Sequence, residues 1–76
     1  MFATYALGID VGGSKISAGL IDAKGRVLRD VTISTPLDKG PFGIVDALVH
    51  AGKEVTQSIT KNELAGVGIG LPAQID

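Results

Sequence analysis

Apolar and polar positions divide the chain into five structured segments. Tyr5 to Val11 (YALGIDV) is a nearly continuous apolar run interrupted late by an aspartate. Such a run predicts a strand buried on both faces, and therefore central in a sheet. Gly12-Gly13 marks a turn. From Lys15 to Ile21, the residues Ile16, Ala18 and Leu20 alternate with Ser17 and Gly19, which is the period of a second strand. The short connection predicts antiparallel pairing with the first strand. Asp22-Ala23-Lys24-Gly25 has Asp first and Gly fourth, as a type I turn prefers. Arg26 to Thr35 then places Val27, Val31 and Ile33 on one face of a third strand. Arg29 interrupts that face, as in an edge strand guarded by an inward charge, and Pro36 ends it.

Leu37 to Phe42 reads as a loop. Beyond it, Ile44, Leu48, Ala51, Val55 and Ile59 recur at helical spacing, which predicts one amphipathic helix of about four turns. Pro41 sits near its start, where proline is tolerated. Thr60-Lys61-Asn62 is expected to end it, with Lys61 at the negative end of the helix dipole and Asn62 as a cap. Leu64 to Leu71 is a last apolar run, with Val67, Ile69 and Leu71 alternating with Gly66, Gly68 and Gly70. A crossover through a helix makes this fourth strand parallel to a neighbour. The predicted class is α/β, in the order β-β-β-α-β.

Composition narrows the function more than the fold. The 76 residues contain no cysteine and a single histidine, His50. A disulfide framework and a metal site built from several histidines or cysteines within this segment are excluded. His50 falls roughly opposite the apolar stripe and reads as a surface residue. Seven Lys/Arg against eight Asp/Glu, with no basic run, leaves no electrostatic footprint for nucleic acid or an anionic membrane. No stretch reaches the roughly 18 apolar residues of a membrane span, and the first residues lack a basic signal region. A cytoplasmic protein is expected. A domain this short buries only about 60% of its unfolded surface. The chain stops at Asp76, directly after a strand. It is therefore expected to be the first piece of something larger.

The candidate chemistry lies in Leu7 to Ser17, LGIDVGGSKIS. A Gly-Gly pair between strands can be an ordinary hairpin turn, and an aspartate beside it an ordinary turn residue. The whole string also suits a polyphosphate. Gly12 and Gly13 lack Cβ atoms and tolerate positive φ, so that N–H groups can converge on a phosphate. Ser14 adds a hydroxyl and Lys15 a point charge. Asp10 could hold Mg²⁺ through its water shell, since Mg²⁺ dehydrates reluctantly. The string is not a Walker A loop, which needs G-x-x-x-x-G-K-[ST] leading into a helix. It is not a dinucleotide G-x-G-x-x-G either.

The string I-D-V-G-G-S-K-I-S-A-G-L-I-D resembles the first phosphate motif of the actin-like (ribonuclease H-like) ATPase superfamily. It is most similar to the ROK family of sugar kinases and sugar-responsive repressors. That family carries a D-[IV]-G-G-[TS]-K string near its start, and its first four strands commonly end in a G-[IV]-G-x-P-G-x-[VI]-D string. Gly68 to Asp76 (GIGLPAQID) matches the second, with Ala73 where the family usually has glycine. The resemblance covers essentially the whole chain.

It implies the first half of an actin-like ATPase domain, residues 1–76, with a mixed sheet of order 3-2-1-4, truncated after the fourth strand. Asp10 would lie near the metal and the transferred phosphate, and Gly12, Gly13, Ser14 and Lys15 would line the phosphate site. Pro72 and Ala73 would lie at the sugar pocket, and Asp76 matches the family's aspartate. ATP and Mg²⁺ are the implied cofactors, a hexose or N-acetylhexosamine the implied acceptor, and a homo-oligomer the implied assembly. The general base, and zinc where the family carries it, would come from later sequence. This chain by itself is expected to be inactive, and a bare apolar edge at strand four is expected to associate. The competing class is a sugar-sensing regulator of the same family, which needs a DNA-binding domain ahead of the motif. Only nine residues precede Asp10. A non-catalytic interaction module that keeps a vestigial phosphate loop is the remaining reading.

Overall fold

A computed structural model describes residues 4–70. Strand β1 spans Tyr5–Val11, β2 Lys15–Asp22 and β3 Val27–Ser34. A 3-10 turn at Leu37–Lys39 leads into helix α1, Gly40–Val55, and a second 3-10 turn at Lys61–Glu63 leads into β4, Leu64–Gly70. The four strands form one mixed sheet of order β3-β2-β1-β4. β1 is antiparallel to β2 and parallel to β4, and β2 is antiparallel to β3.

The core lies between the sheet and α1. Leu7, Ile9 and Val11 stand opposite Leu20, Ala18 and Ile16, and all six are buried. Ala51 and Val55 press on them from the helix, and Val31, Ile33, Leu48 and Leu64 close the margins. Helix and sheet meet closely because Gly52 has no side chain. A Cβ there would come within 3.2 Å of Leu7 Cδ2. The prediction that β1 is buried on both faces holds for one of them. Ala6 and Asp10 point away from α1 and are exposed, because among the described residues nothing covers the second face.

Four local expectations change. Leu37 to Phe42, read as a loop, forms the first 3-10 turn and the start of α1. The helix ends at Val55 rather than running on through Ile59. Thr56 turns back on it, with N–H and Oγ1 both donating to the Gly52 carbonyl at 3.2 and 2.8 Å. Ile59 still packs against the core from the following turn, so its four-residue spacing from Val55 does not signal helix. Thr60 and Glu63 then form a capping box for the second 3-10 turn, where Lys61 and Asn62 had been expected to end α1. In β3 the register slips, so that Arg29 faces Leu20 while Val27 faces Ile21. Leu28 is the extra residue of a bulge, and Val27 moves to the face opposite Val31 and Ile33. Arg29 shares the α1 side but is solvent-exposed at the sheet edge.

The Asp22–Gly25 turn forms as expected. Gly25 N–H donates to the Asp22 carbonyl at 3.0 Å, and Gly25 takes φ +84°, a left-handed value that suits glycine. Asp22 Oδ1 also accepts from the N–H groups of Lys24 and Arg26, and Oδ2 from Arg26 Nε, each at 2.9 Å.

Candidate functional site at the carboxyl end of the sheet

β1, β3 and β4 run in the same direction, so their carboxyl ends meet at one edge of the sheet. In open α/β sheets this is the edge where ligands bind. Asp10 lies there on β1, opposite Ser17 of β2 and Gly70 of β4. Its carboxylate leans over Gly70, where a Cβ would lie 3.7 Å from Oδ1. Lys15 opens β2 on the same face, opposite Ser34 at the end of β3. Neither Asp10 nor Lys15 forms an ion pair among the described residues.

The Gly12–Lys15 turn joins them. Gly12 N–H donates to the Lys15 carbonyl at 2.8 Å. A Cβ on Gly12 would sit 3.0 Å from that carbonyl oxygen, so the close approach of two backbones selects glycine there. Gly13 faces open space. Positive φ, expected as the use of these glycines, is not what the turn requires, since neither adopts it. The N–H groups of Gly13 and Ser14 donate to no protein group among the described residues. Two adjacent unbonded N–H groups, a serine hydroxyl and a free ammonium suit a ligand carrying several negative oxygens. Asp10 alone cannot cage a metal, and no cluster of three ligating side chains occurs among the described residues. One carboxylate supplemented by water and phosphate oxygens is how Mg²⁺ is commonly held.

The structure therefore brings Asp10, Gly12, Gly13, Ser14 and Lys15 to one place. Pro72, Ala73, Leu71 and Asp76 lie outside the described residues. Three features escape a reading of the sequence. Thr35 reaches the turn from the end of β3, with Oγ1 donating to the Gly12 carbonyl at 3.1 Å and N–H to the Ser14 carbonyl at 2.9 Å. Gly8 pairs with Gly19 on one side and Gly68 on the other, which bares a strip of backbone across three strands. That strip floors an open hollow of about 620 Å³ bordered by Asp10, Ser17 and Asp30. Only the strand register reveals any of these.

The ROK family profile matches residues 6–76. The chain belongs to the ROK family. Along 70 residues it is 36% identical to a glucokinase of Streptomyces coelicolor, covering 92% of this chain and 20% of that protein. A glucokinase of Thermotoga maritima is 33% identical over 70 residues, covering 92% of this chain and 21% of that one. The crystal structure of a ROK family glucokinase from Streptomyces griseus in complex with glucose and AMPPNP superimposes with a TM-score of 0.79 at 35% identity. It covers 95% of this chain and 22% of the other. The sheet order and the helix position are those of the first half of an actin-like ATPase domain. The chain thus spans about a fifth of the length of the curated relatives it matches. Among the described residues no helix is long and apolar enough to cross a membrane.

Proposed function

We propose that this ROK chain is the amino-terminal part of a sugar kinase that transfers the γ-phosphoryl group of ATP to a hexose or N-acetylhexosamine, with glucose the first candidate. The observation that carries this reading is the Gly12–Lys15 turn, with unbonded Gly13 and Ser14 N–H groups between Asp10 and the Lys15 ammonium. The similarity to a glucokinase structure holding glucose and AMPPNP supports it. In this reading the reaction runs in the cytoplasm, where ATP is supplied.

Phosphoryl transfer demands mainly positioning and neutralisation of charge. Gly13 and Ser14 would donate N–H groups to phosphate oxygens, and Lys15 would neutralise their charge. Asp10 would accept hydrogen bonds from the water shell of Mg²⁺, which when bound offsets the charge of the phosphates. Pro72 and Ala73 would border the sugar. The general base would come from sequence outside this chain, as would the ligands of any zinc site. Residues 1–76 alone are therefore inactive in this reading, and the working enzyme is a homo-oligomer of the longer chain.

A coupled ADP-release assay on the full-length protein tests the proposal, with ATP and Mg²⁺ against glucose, fructose, N-acetylglucosamine and N-acetylmannosamine. Sugar-dependent release that disappears in Asp10→Ala is the expected result. Absence of turnover with sugar binding intact by calorimetry would overturn it in favour of a sugar-sensing regulator.

A further inference from the structure

We infer that Thr35 is a positioning residue for the phosphate turn, which it clamps through two peptide planes. The inference rests on the kinase reading for its catalytic consequence, though not for the clamp itself. Two residues that face each other as a hydrogen-bonded antiparallel pair can exchange two reciprocal backbone bonds. Here only one is present, from Gly12 N–H to the Lys15 carbonyl. The Gly12 carbonyl takes its donor from the Thr35 hydroxyl instead, at 3.1 Å and across 23 residues of sequence. The Ser14 carbonyl takes the Thr35 N–H at 2.9 Å.

A trans peptide sets its C=O and N–H in opposite directions. Drawing the Gly12 carbonyl toward β3 therefore turns the Gly13 N–H away from β3. Drawing the Ser14 carbonyl the same way turns the Lys15 N–H away from β3. A Gly-Gly-Ser turn has much backbone freedom to lose, so an anchor at each of its two carbonyls reduces the disorder that a phosphate would otherwise have to remove.

The anchor itself is held. Pro36 disfavours helical conformations for the residue before it, which keeps Thr35 extended. Pro36 has φ −80° and ψ 74°, and Leu37 N–H donates to the Thr35 carbonyl at 2.9 Å. This is an inverse γ-turn. The backbone N–H, backbone carbonyl and side-chain hydroxyl of Thr35 are thus all engaged, two of them on the phosphate turn.

The test compares Thr35→Val, Thr35→Ala and Thr35→Ser in the full-length protein. Thr35→Val keeps the shape and the N–H bond and removes the hydroxyl alone. In a competent kinase it should raise KM for ATP about five- to tenfold, the size of one lost hydrogen bond, and leave KM for the sugar unchanged. Thr35→Ala should match it, and Thr35→Ser should behave as wild type. Hydrogen exchange of the peptide covering residues 9–16, without nucleotide, should accelerate in the Val and Ala variants and not in Ser. An unchanged exchange rate in Thr35→Val overturns the clamp, as does a Ser variant impaired equally with Val. If the wild-type protein binds no ATP, the kinase reading fails while the exchange measurement still decides the clamp. If Thr35→Val fails to fold, the comparison of Ala with Ser carries the same decision.

Discussion

Two glycines that sit side by side in the sequence have different physical roles in the phosphate turn. A Cβ on Gly12 would lie 3.0 Å from the Lys15 carbonyl oxygen, whereas a Cβ on Gly13 meets nothing within 4 Å. Gly12→Ala should therefore open the one backbone bond that closes the turn and weaken nucleotide binding. Gly13→Ala should change stability by no more than about 0.5 kcal/mol, as for an open surface site. Urea titration and ATP affinity of the two variants check this, and equal effects would refute it. Asp22 offers a second test, of pH dependence. The N–H of Arg26 holds its carboxyl below the ordinary value, with the Arg26 guanidinium and the Lys24 N–H acting in the same direction and desolvation against them. A depressed folded-state pKa means stability that is present above the unfolded pKa of about 3.9 and is lost as pH falls through the folded value. Asp22→Ala should accordingly lower Tm at neutral pH and lower it progressively less below pH ~4. A Tm difference that does not vary with pH would count against this role for Asp22.

At the scale of elements, the apolar pattern located every strand, because each follows alternation or a run bounded by glycine, aspartate or proline. The antiparallel meander of β1 to β3 was also legible, since short links force antiparallel neighbours, and a helical crossover makes β4 parallel to a neighbour; its place beside β1 follows from the family resemblance. What could not be read is where two strands slip past each other. Leu28 is an apolar residue in an apolar run, and nothing in its identity marks it as the bulge that reverses Val27. The end of α1 was misplaced for a related reason, since Ile59 keeps the helical spacing while reaching the core from a turn. Thr35 was missed because its partners become neighbours only when β2 and β3 pair. The helix-to-sheet contact supports a sharp expectation. Gly52→Val would force branched atoms against Leu7 and Ile9, where even one Cβ is tight, and should cost about 1–3 kcal/mol as overpacking. Ile16→Ala, at 0% exposure, should cost about 2–5 kcal/mol as a cavity. Chemical denaturation measures both, and a neutral Gly52→Val would mean that α1 sits further from β1 than described.

For the molecule as a whole, the decisive asymmetry is that α1 covers β1, β2 and β3 and leaves β4 to solvent. Val67 and Ile69 point to the α1 side yet are 56% and 54% exposed, and Val45 and Val49 of the helix face the same gap. The result is an apolar groove of about 380 Å³ beside a strand whose outer edge has no partner among the described residues. An edge strand of this kind presents a row of unpaired N–H and C=O groups, and it carries no charged side chain to deter another strand. The 76-residue chain should therefore associate reversibly through β4 as its concentration rises. Sedimentation velocity across a dilution series should show the weight-average mass climbing. Val67→Lys with Ile69→Lys should hold it at the monomer value without altering the far-ultraviolet spectrum, since both side chains already meet solvent. A wild-type chain that stays monomeric at high concentration would show that the edge is shielded. Association that persists in the double variant would place the contact elsewhere, with the exposed Leu37 and Phe42 the next surface to test.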